Sequence, residues 1–405
     1  MTDNSEPKMA VKPKSRFSST FVIVMTLFID AIGFGIIIPL LPFYTQTFQA
    51  GSAALGILVA SFSIMQFLFS PVLGRISDNV GRKPVLLISI LVSTFSYVIF
   101  AFADSFLLLL LSRVIAGIAT ETAVAQAYIA DITSEKDRAS GIGKVSAAHS
   151  AGFIIGPAIG GILSVYGFWA PGLAAAFLTL INLLFVLFFL PESNINNRLS
   201  KTIESNSKNS STNKILGALK KPVIGSVLVI HFVVFLAFSA IPVILPLLGI
   251  VYFALGTTEI SYIFIYIGVV QILLQSVIIG RLARKFGEET LIVIGPALMI
   301  AGITLMPLVP NILVFLASIT MIASGSGIMR TVIPSFLSRL TAADEQGGIL
   351  GVASSILSIA TVPGPLIGGF LFEVAGATAA FFGSSAILAV GLAFSFRVIQ
   401  KYRHS

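Results

Sequence analysis

The chain has no cysteine, three histidines, one tryptophan and only 10% charged residues in 405. Without cysteine there is no disulfide, no thiolate metal site and no cysteine nucleophile. The three histidines are scattered, with no paired spacing for a metal ion, so neither a metal nor a cofactor is expected. No glycine-rich loop ending in Gly-Lys-Ser/Thr is present either, which excludes a nucleotide phosphate site of that kind. The shortage of charge excludes most. A soluble globule carries about 25% charged residues, and a chain this poor in charge cannot cover its surface in water. Lipid is the solvent that fits.

What the chain has instead is 56% hydrophobic residues in long unbroken runs. Crossing about 30 Å of hydrocarbon takes roughly 20 apolar residues as a helix. Only helices and closed barrels satisfy their backbone there, and unbroken runs without alternation favour helices. The runs predict twelve membrane helices in an all-α protein: 20–44, 52–74, 84–103, 105–131, 142–167 and 169–190, then 222–251, 258–280, 289–309, 311–338, 347–373 and 376–399. This divides the chain into an N-terminal tail (1–19), a six-helix bundle (20–190), a linker (191–221), a second bundle (222–399) and a short tail (400–405). The first run is too long for the apolar core of a signal peptide. Twelve of the 23 residues from Pro191 to Asn213 are Ser or Asn, a composition that stays flexible.

The net charge of +8 permits a nucleic-acid partner until the charges are placed. Of the 25 Lys and Arg, 23 fall before the first helix, after the even-numbered helices or at the end of the chain, all on one side. The other two, Arg113 and Arg330, lie inside expected helices. The opposite loops carry Asp104, Glu259 and Glu373. The excess of positive charge therefore orients the protein, with both termini expected in the cytoplasm and no nucleic acid bound.

The halves also repeat. Gly74-Arg75-Ile76-Ser77-Asp78-Asn79-Val80-Gly81-Arg82-Lys83 has a worn copy at Gly280-Arg281-Leu282-Ala283-Arg284-Lys285-Phe286-Gly287-Glu288-Glu289. Ile38-Pro39-Leu40-Leu41 recurs as Leu245-Pro246-Leu247-Leu248, and Gly156-Pro157-Ala158-Ile159-Gly160-Gly161 as Gly364-Pro365-Leu366-Ile367-Gly368-Gly369. Repeat halves in transporters enclose a substrate site at their interface, near the bilayer midplane. The copied loop reverses its charges, with Glu288 and Glu289 replacing Arg82 and Lys83, so the two loops are expected to attract across the halves.

The loop with Gly74, Asp78, Gly81, Arg82 and Lys83 resembles the signature of the major facilitator superfamily. Asn79 departs from it, since a basic residue is more usual there. The resemblance implies a cytoplasmic gate in which this acid and its basic neighbours, joined by Asp131, latch the outward-open state. Gly152, Gly156, Pro157, Gly160 and Gly161 in the fifth helix form a small-residue packing seam with a proline bend. They also resemble the motif of the superfamily's proton-coupled antiporters. Arg113-Val114-Ile115-Ala116-Gly117 resembles the antiporter motif of the fourth helix, whose arginine tunes a protonatable partner. Phe28-Ile29-Asp30-Ala31-Ile32-Gly33-Phe34-Gly35, and the whole stretch from Thr20 to about Gly161, resemble tetracycline efflux antiporters. Helices seven to twelve show no such pattern, which leaves tetracycline itself in question.

Ionisable residues inside a span are functional candidates by default. Asp30 lies ten residues into the first helix, about 15 Å deep. Glu121 lies eight residues beyond Arg113, about 12 Å along the axis, so the two do not pair but can face one cavity. Asp30, Arg113 and Glu121 are the proton-coupling candidates. Gln126, His231, Tyr266, Gln271 and Arg330 are the substrate-cavity candidates, and His149 is either a proton relay or a packing residue. No nucleophile–base cluster suggests an enzyme. The expected protein is a monomeric plasma-membrane exporter of small amphipathic compounds driven by protons. An exporter of a cell metabolite is the alternative, and a non-transporting receptor on a transporter fold a weaker one.

Overall fold

The computed structural model describes residues 18–133, 135–193, 222–308, 311–341 and 346–403. Most of the linker lies outside them, as does most of the N-terminal tail. The first half comprises α1 (Ser19–Thr47), α2 (Ser52–Val80), α3 (Arg82–Ala101), α4 (Phe106–Ile132), α5 (Gly143–Tyr166) and α6 (Trp169–Phe189). The second comprises α7 (Val223–Phe253), α8 (Thr257–Phe286), α9 (Glu288–Leu305) and α10 (Ile312–Arg339), followed by Gly348–Val398, which makes two passes. These passes, α11 and α12, meet at Gly376, whose φ of 78° and ψ of 179° break the helix. Spans of 18 residues or more reach at least about 27 Å, enough for the hydrocarbon core.

Lipid gives helices no hydrophobic reason to associate, so close packing of small residues has to hold them. In the first half, Gly152, Gly156 and Gly160 lie on the backbone carbonyls of Phe28, Ile32 and Ile36 in α1. A methyl group at any of the three would collide with backbone. Gly161 turns the other way, onto Ser261 of α8. The second half repeats the plan. Gly364 and Gly368 lie against Leu236, Ser239 and Ala240 of α7, while Gly369 faces Ser52 and Gly56 of α2. The repeated string thus seals each half and presents one glycine to the other half.

Several spans depart from plain helix. α1 tightens to a 3₁₀ turn at Ile38–Leu40, around Pro39. α8 carries a π-turn at Leu274–Ile278. α4 was expected to be continuous, yet it stops at Ile118 and restarts at Thr122. The sequence shows no proline there.

The halves meet at the end remote from the basic loops. The Ala53 amide donates to Glu373 Oε2 (2.7 Å), Ser164 Oγ to Thr257 Oγ1 (2.9 Å) and Thr258 Oγ1 to the Gly161 carbonyl (3.3 Å). At the basic end, Gly74, Gly143, Gly280, Gly348 and Gly351 have open space beside them.

Candidate functional site

Three groups of side chains stand out, and the first sits at the break in α4. Glu121, 3% exposed, accepts a hydrogen bond from Ser93 Oγ (2.8 Å). Its carboxyl group also lies within hydrogen-bonding reach of Asp30. A hydrogen bond between two carboxyl groups needs one of them protonated, because a carboxylate can only accept. Thr120, beside it, accepts from Gln66 Nε2 (3.2 Å). Tyr97 lies within electrostatic reach of Asp30, Glu121 and Arg113, and its ring closes over Gly33.

Arg113 is 2% exposed and forms no ion pair among the described residues. Its guanidinium lies over the rings of Phe62 (4.8 Å) and Phe34 (5.5 Å). Nε and one terminal nitrogen have no hydrogen-bond partner. Asp30 and Glu121 thus lie within reach of each other, while Arg113 meets the two phenylalanines.

The second group lines a cavity of about 190 Å³ between the halves. α5 contributes His149, Ser150 and Phe153; α7, Phe238 and Pro242; α8, Gln271 and Gln275; α10, Arg330. Of the cavity candidates, Gln271 and Arg330 are there, and Gln271 Nε2 donates to Ser326 Oγ (3.1 Å). The other three do not line this cavity. His231 is buried, its ring tilted against that of Phe235 at 4.8 Å. Tyr266 turns to Thr320, 2.7 Å from its hydroxyl. Gln126 is exposed on the far segment of α4 and does not line the cavity. His149, Ser150 and Gln275 are the polar lining residues outside the cavity candidates. The direction a side chain takes around an all-round apolar helix has no amphipathic stripe to announce it.

The third group is the clasp at the basic end, and its hub is Arg82. The guanidinium pairs with Asp78 (2.7 Å) and Asp131 (2.9 Å). It also donates to Ser77 Oγ (2.6 Å) and the Gly74 carbonyl (3.4 Å). Gly81, at φ 120°, makes the turn into α3. The sequence reading missed Glu192, whose carboxylate accepts from the Arg82 and Lys83 amides (2.8 and 3.1 Å). An acid suits that place because the first amides of a helix lack partners within it. Lys83 Nζ donates to the Leu187 carbonyl (2.8 Å). None of the ion pairs found among the described residues joins the copied loop to this one. Glu288 and Glu289 pair instead with Arg339 of their own half, at 3.4 and 3.3 Å.

Likeness to known proteins agrees with this arrangement. The family model described as Major Facilitator Superfamily matches residues 23–277 and, a second time, 227–404. Tetracycline resistance protein, class C, of Escherichia coli is 32% identical over 365 residues, covering 89% of this chain and 91% of that protein. Multidrug resistance protein 2 of Bacillus subtilis (strain 168) is 30% identical over 361 residues, covering 87% and 89%. Among solved structures, a bacterial homologue of the human lysosomal transporter Spinster, in an inward-facing and occupied conformation, matches with a TM-score of 0.75 at 15% identity. That match covers 96% of this chain and 98% of the other. An alignment of 365 residues runs through both bundles, so the likeness to tetracycline resistance proteins extends beyond the N-terminal stretch that carried the resemblance. Twelve spans in two repeated bundles, the glycine seams, the Arg82 clasp and these matches lead to one statement: the chain belongs to the Major Facilitator Superfamily, as a multi-pass plasma-membrane transporter and not an enzyme.

Proposed function

We propose that this transporter exports small amphipathic compounds in exchange for protons, by alternating access, with both termini in the cytoplasm. The observation that carries the reading is the contact between Asp30 and Glu121 inside the first bundle. A carboxyl pair that holds a proton between its members can load and release one without moving far. The break in α4 supports the same reading, since interrupted membrane helices gather at transporter ion and substrate sites. Relatives named for tetracycline and multidrug resistance supply the class of cargo.

On this reading the bundles are parted toward the cytoplasm and closed outside, an inward-facing state. Protons arriving from outside load the pair; substrate enters the cavity from inside. Each ligand biases the same equilibrium between the two states in opposite directions, and that alone couples their movements. Arg113 stays charged at any working pH, so its part is electrostatic and it carries no proton. The clasp around Arg82 holds α2, α3 and α4 together as the bundle rocks, and the Gly152–Gly161 string lets α5 move with α1 as one body. The protein is expected to act as a monomer, with lipid and cargo as its partners.

The test is transport by the purified protein in proteoliposomes with an acidic lumen. Tetracycline should accumulate inside, and nigericin should abolish the accumulation by collapsing the pH gradient. Accumulation that ignores nigericin would contradict proton exchange. Failure to move any of a panel of amphipathic drugs would contradict the cargo class.

A further inference from the structure

We infer that the cavity between the bundles is built for the anionic group of its cargo, so that the preferred substrates are amphipathic organic anions. The inference rests on the transport reading above and names the chemical class carried.

Its basis is the charge on the cavity wall. Arg330 reaches the cavity from α10 and is exposed to it. No carboxylate lines that cavity, and Arg330 forms no ion pair among the described residues. Its contact within the protein is with an aromatic face, the Phe235 ring at 5.4 Å. Among the described residues, the titratable groups within its electrostatic reach are His149 and His231, neither of them an acid. The acids of the first bundle are already engaged, Glu121 with Ser93 and Asp30 with Glu121.

A guanidinium inside the hydrocarbon thickness is costly unless water or an anion meets it, and its planar fork matches a carboxylate or sulfonate with two parallel bonds. Further polar side chains line the same space, His149, Gln271 and Gln275. Gln275 sits on the π-turn of α8, a distortion that recurs at functional sites. The rest of the wall is apolar, with Phe153, Pro242 and Phe264 among its residues. One fixed cation in an aromatic and aliphatic pocket selects an apolar body carrying one negative group. A cationic drug would meet Arg330 with no counter-ion between them, which low dielectric makes unfavourable.

A charge series on one skeleton tests this. The full-length protein in lipid nanodiscs is titrated with tritiated 2-naphthoate by scintillation proximity, with 2-naphthamide and 2-naphthylmethylammonium as competitors. The naphthoate should bind saturably, and the amide and the ammonium compound should compete about tenfold more weakly or worse, the value of one charge-assisted hydrogen bond. Arg330→Gln should weaken naphthoate binding by about tenfold or more; Arg330→Lys, which keeps the charge without the fork, should fall between. Monodisperse elution and an unchanged unfolding temperature establish that a variant is folded. If Arg330→Gln does not fold, the wild-type charge series and Arg330→Lys still decide. The inference is overturned if naphthoate does not bind saturably, if the ammonium compound binds as tightly, or if folded Arg330→Gln binds naphthoate like wild type. Drug accumulation in acidic proteoliposomes without naphthoate binding would leave the export reading standing and remove this inference. Naphthoate binding with no gradient-driven transport of any compound would do the reverse.

Discussion

In the first bundle α5 rests on α1 through Gly152, Gly156 and Gly160; in the second, α11 rests on α7 through Gly364 and Gly368. The backbone plan repeats almost residue for residue. The charges laid on it do not. At the basic end, Arg82 at the head of α3 binds Asp131 at the foot of α4. In the same places the second bundle has Glu288 and Arg339, with the signs exchanged. Halfway along the fourth helix of each bundle the contrast returns, with Glu121 in one and Arg330 in the other. The first bundle keeps its acids together behind the wall, and the second presents its cation to the cavity. Shape is held by the repeated residues, and the unequal tasks are held by those that broke the repeat.

The shared plan can be broken first, and the largest effect is expected there. A side chain at Gly156 would run into the Ile32 carbonyl and Gly35, and one at Gly368 into Ala240 and Ile244. Gly156→Val should destabilise by about 3 kcal/mol, the upper end for overpacking, because backbone cannot step aside, and Gly368→Val by about 1–2 kcal/mol, because the atoms it meets belong to side chains. Thermal unfolding in detergent checks both. A seam that tolerated valine while its twin did not would show that the packing is not symmetric.

The two clasps should differ in strength. The side chain of Arg82 is 7% exposed and serves two acids and two oxygens, whereas that of Arg339 is 51% exposed. Arg82→Ala removes a buried hub from two partly exposed carboxylates and should cost about 2 kcal/mol, between the exposed and the buried case. Arg339→Ala should cost about 1 kcal/mol or less, because water screens the pair. Equal losses in the same unfolding assay would argue against the difference in burial.

The smallest effect on stability is expected at Gly74 and Gly280, which face open space. Gly74→Ala and Gly280→Ala should shift stability by less than about 0.5 kcal/mol. They should still slow turnover, since these surfaces approach when the basic end closes. A large loss of stability would mean that the ends are already closed in the resting protein. Unchanged turnover would mean that they never come close.

Much of this was legible in the sequence because it is local. Run length gave the spans, and spaced glycines gave the seams. What escaped depends on long-range contacts or on rotation about a helix axis. Glu192 meets Arg82 across 110 residues. α4 breaks beside Thr120 without a proline, where Ser93 and Gln66 from other helices take up its polar atoms. The loops of opposite charge promised attraction between halves, but each found a nearer partner at the foot of its own fourth helix. Tyr266 and His231 are in the right helices and face the wrong way, while His149 and Gln275 face the cavity. Asp30 was legible as a lone mid-depth acid; its pairing with Glu121 was not, because it needs the turn that the break in α4 provides.

The account stands most directly on that pair. In proteoliposomes, Asp30→Asn and Glu121→Gln should each fold and bind substrate. Both should carry out exchange of labelled for unlabelled substrate with no gradient imposed. Neither should accumulate substrate against its gradient when the lumen is made acidic. Wild type should do both. Gradient-driven accumulation at the wild-type level in Asp30→Asn would contradict the claim that the acids of the first bundle couple transport to protons.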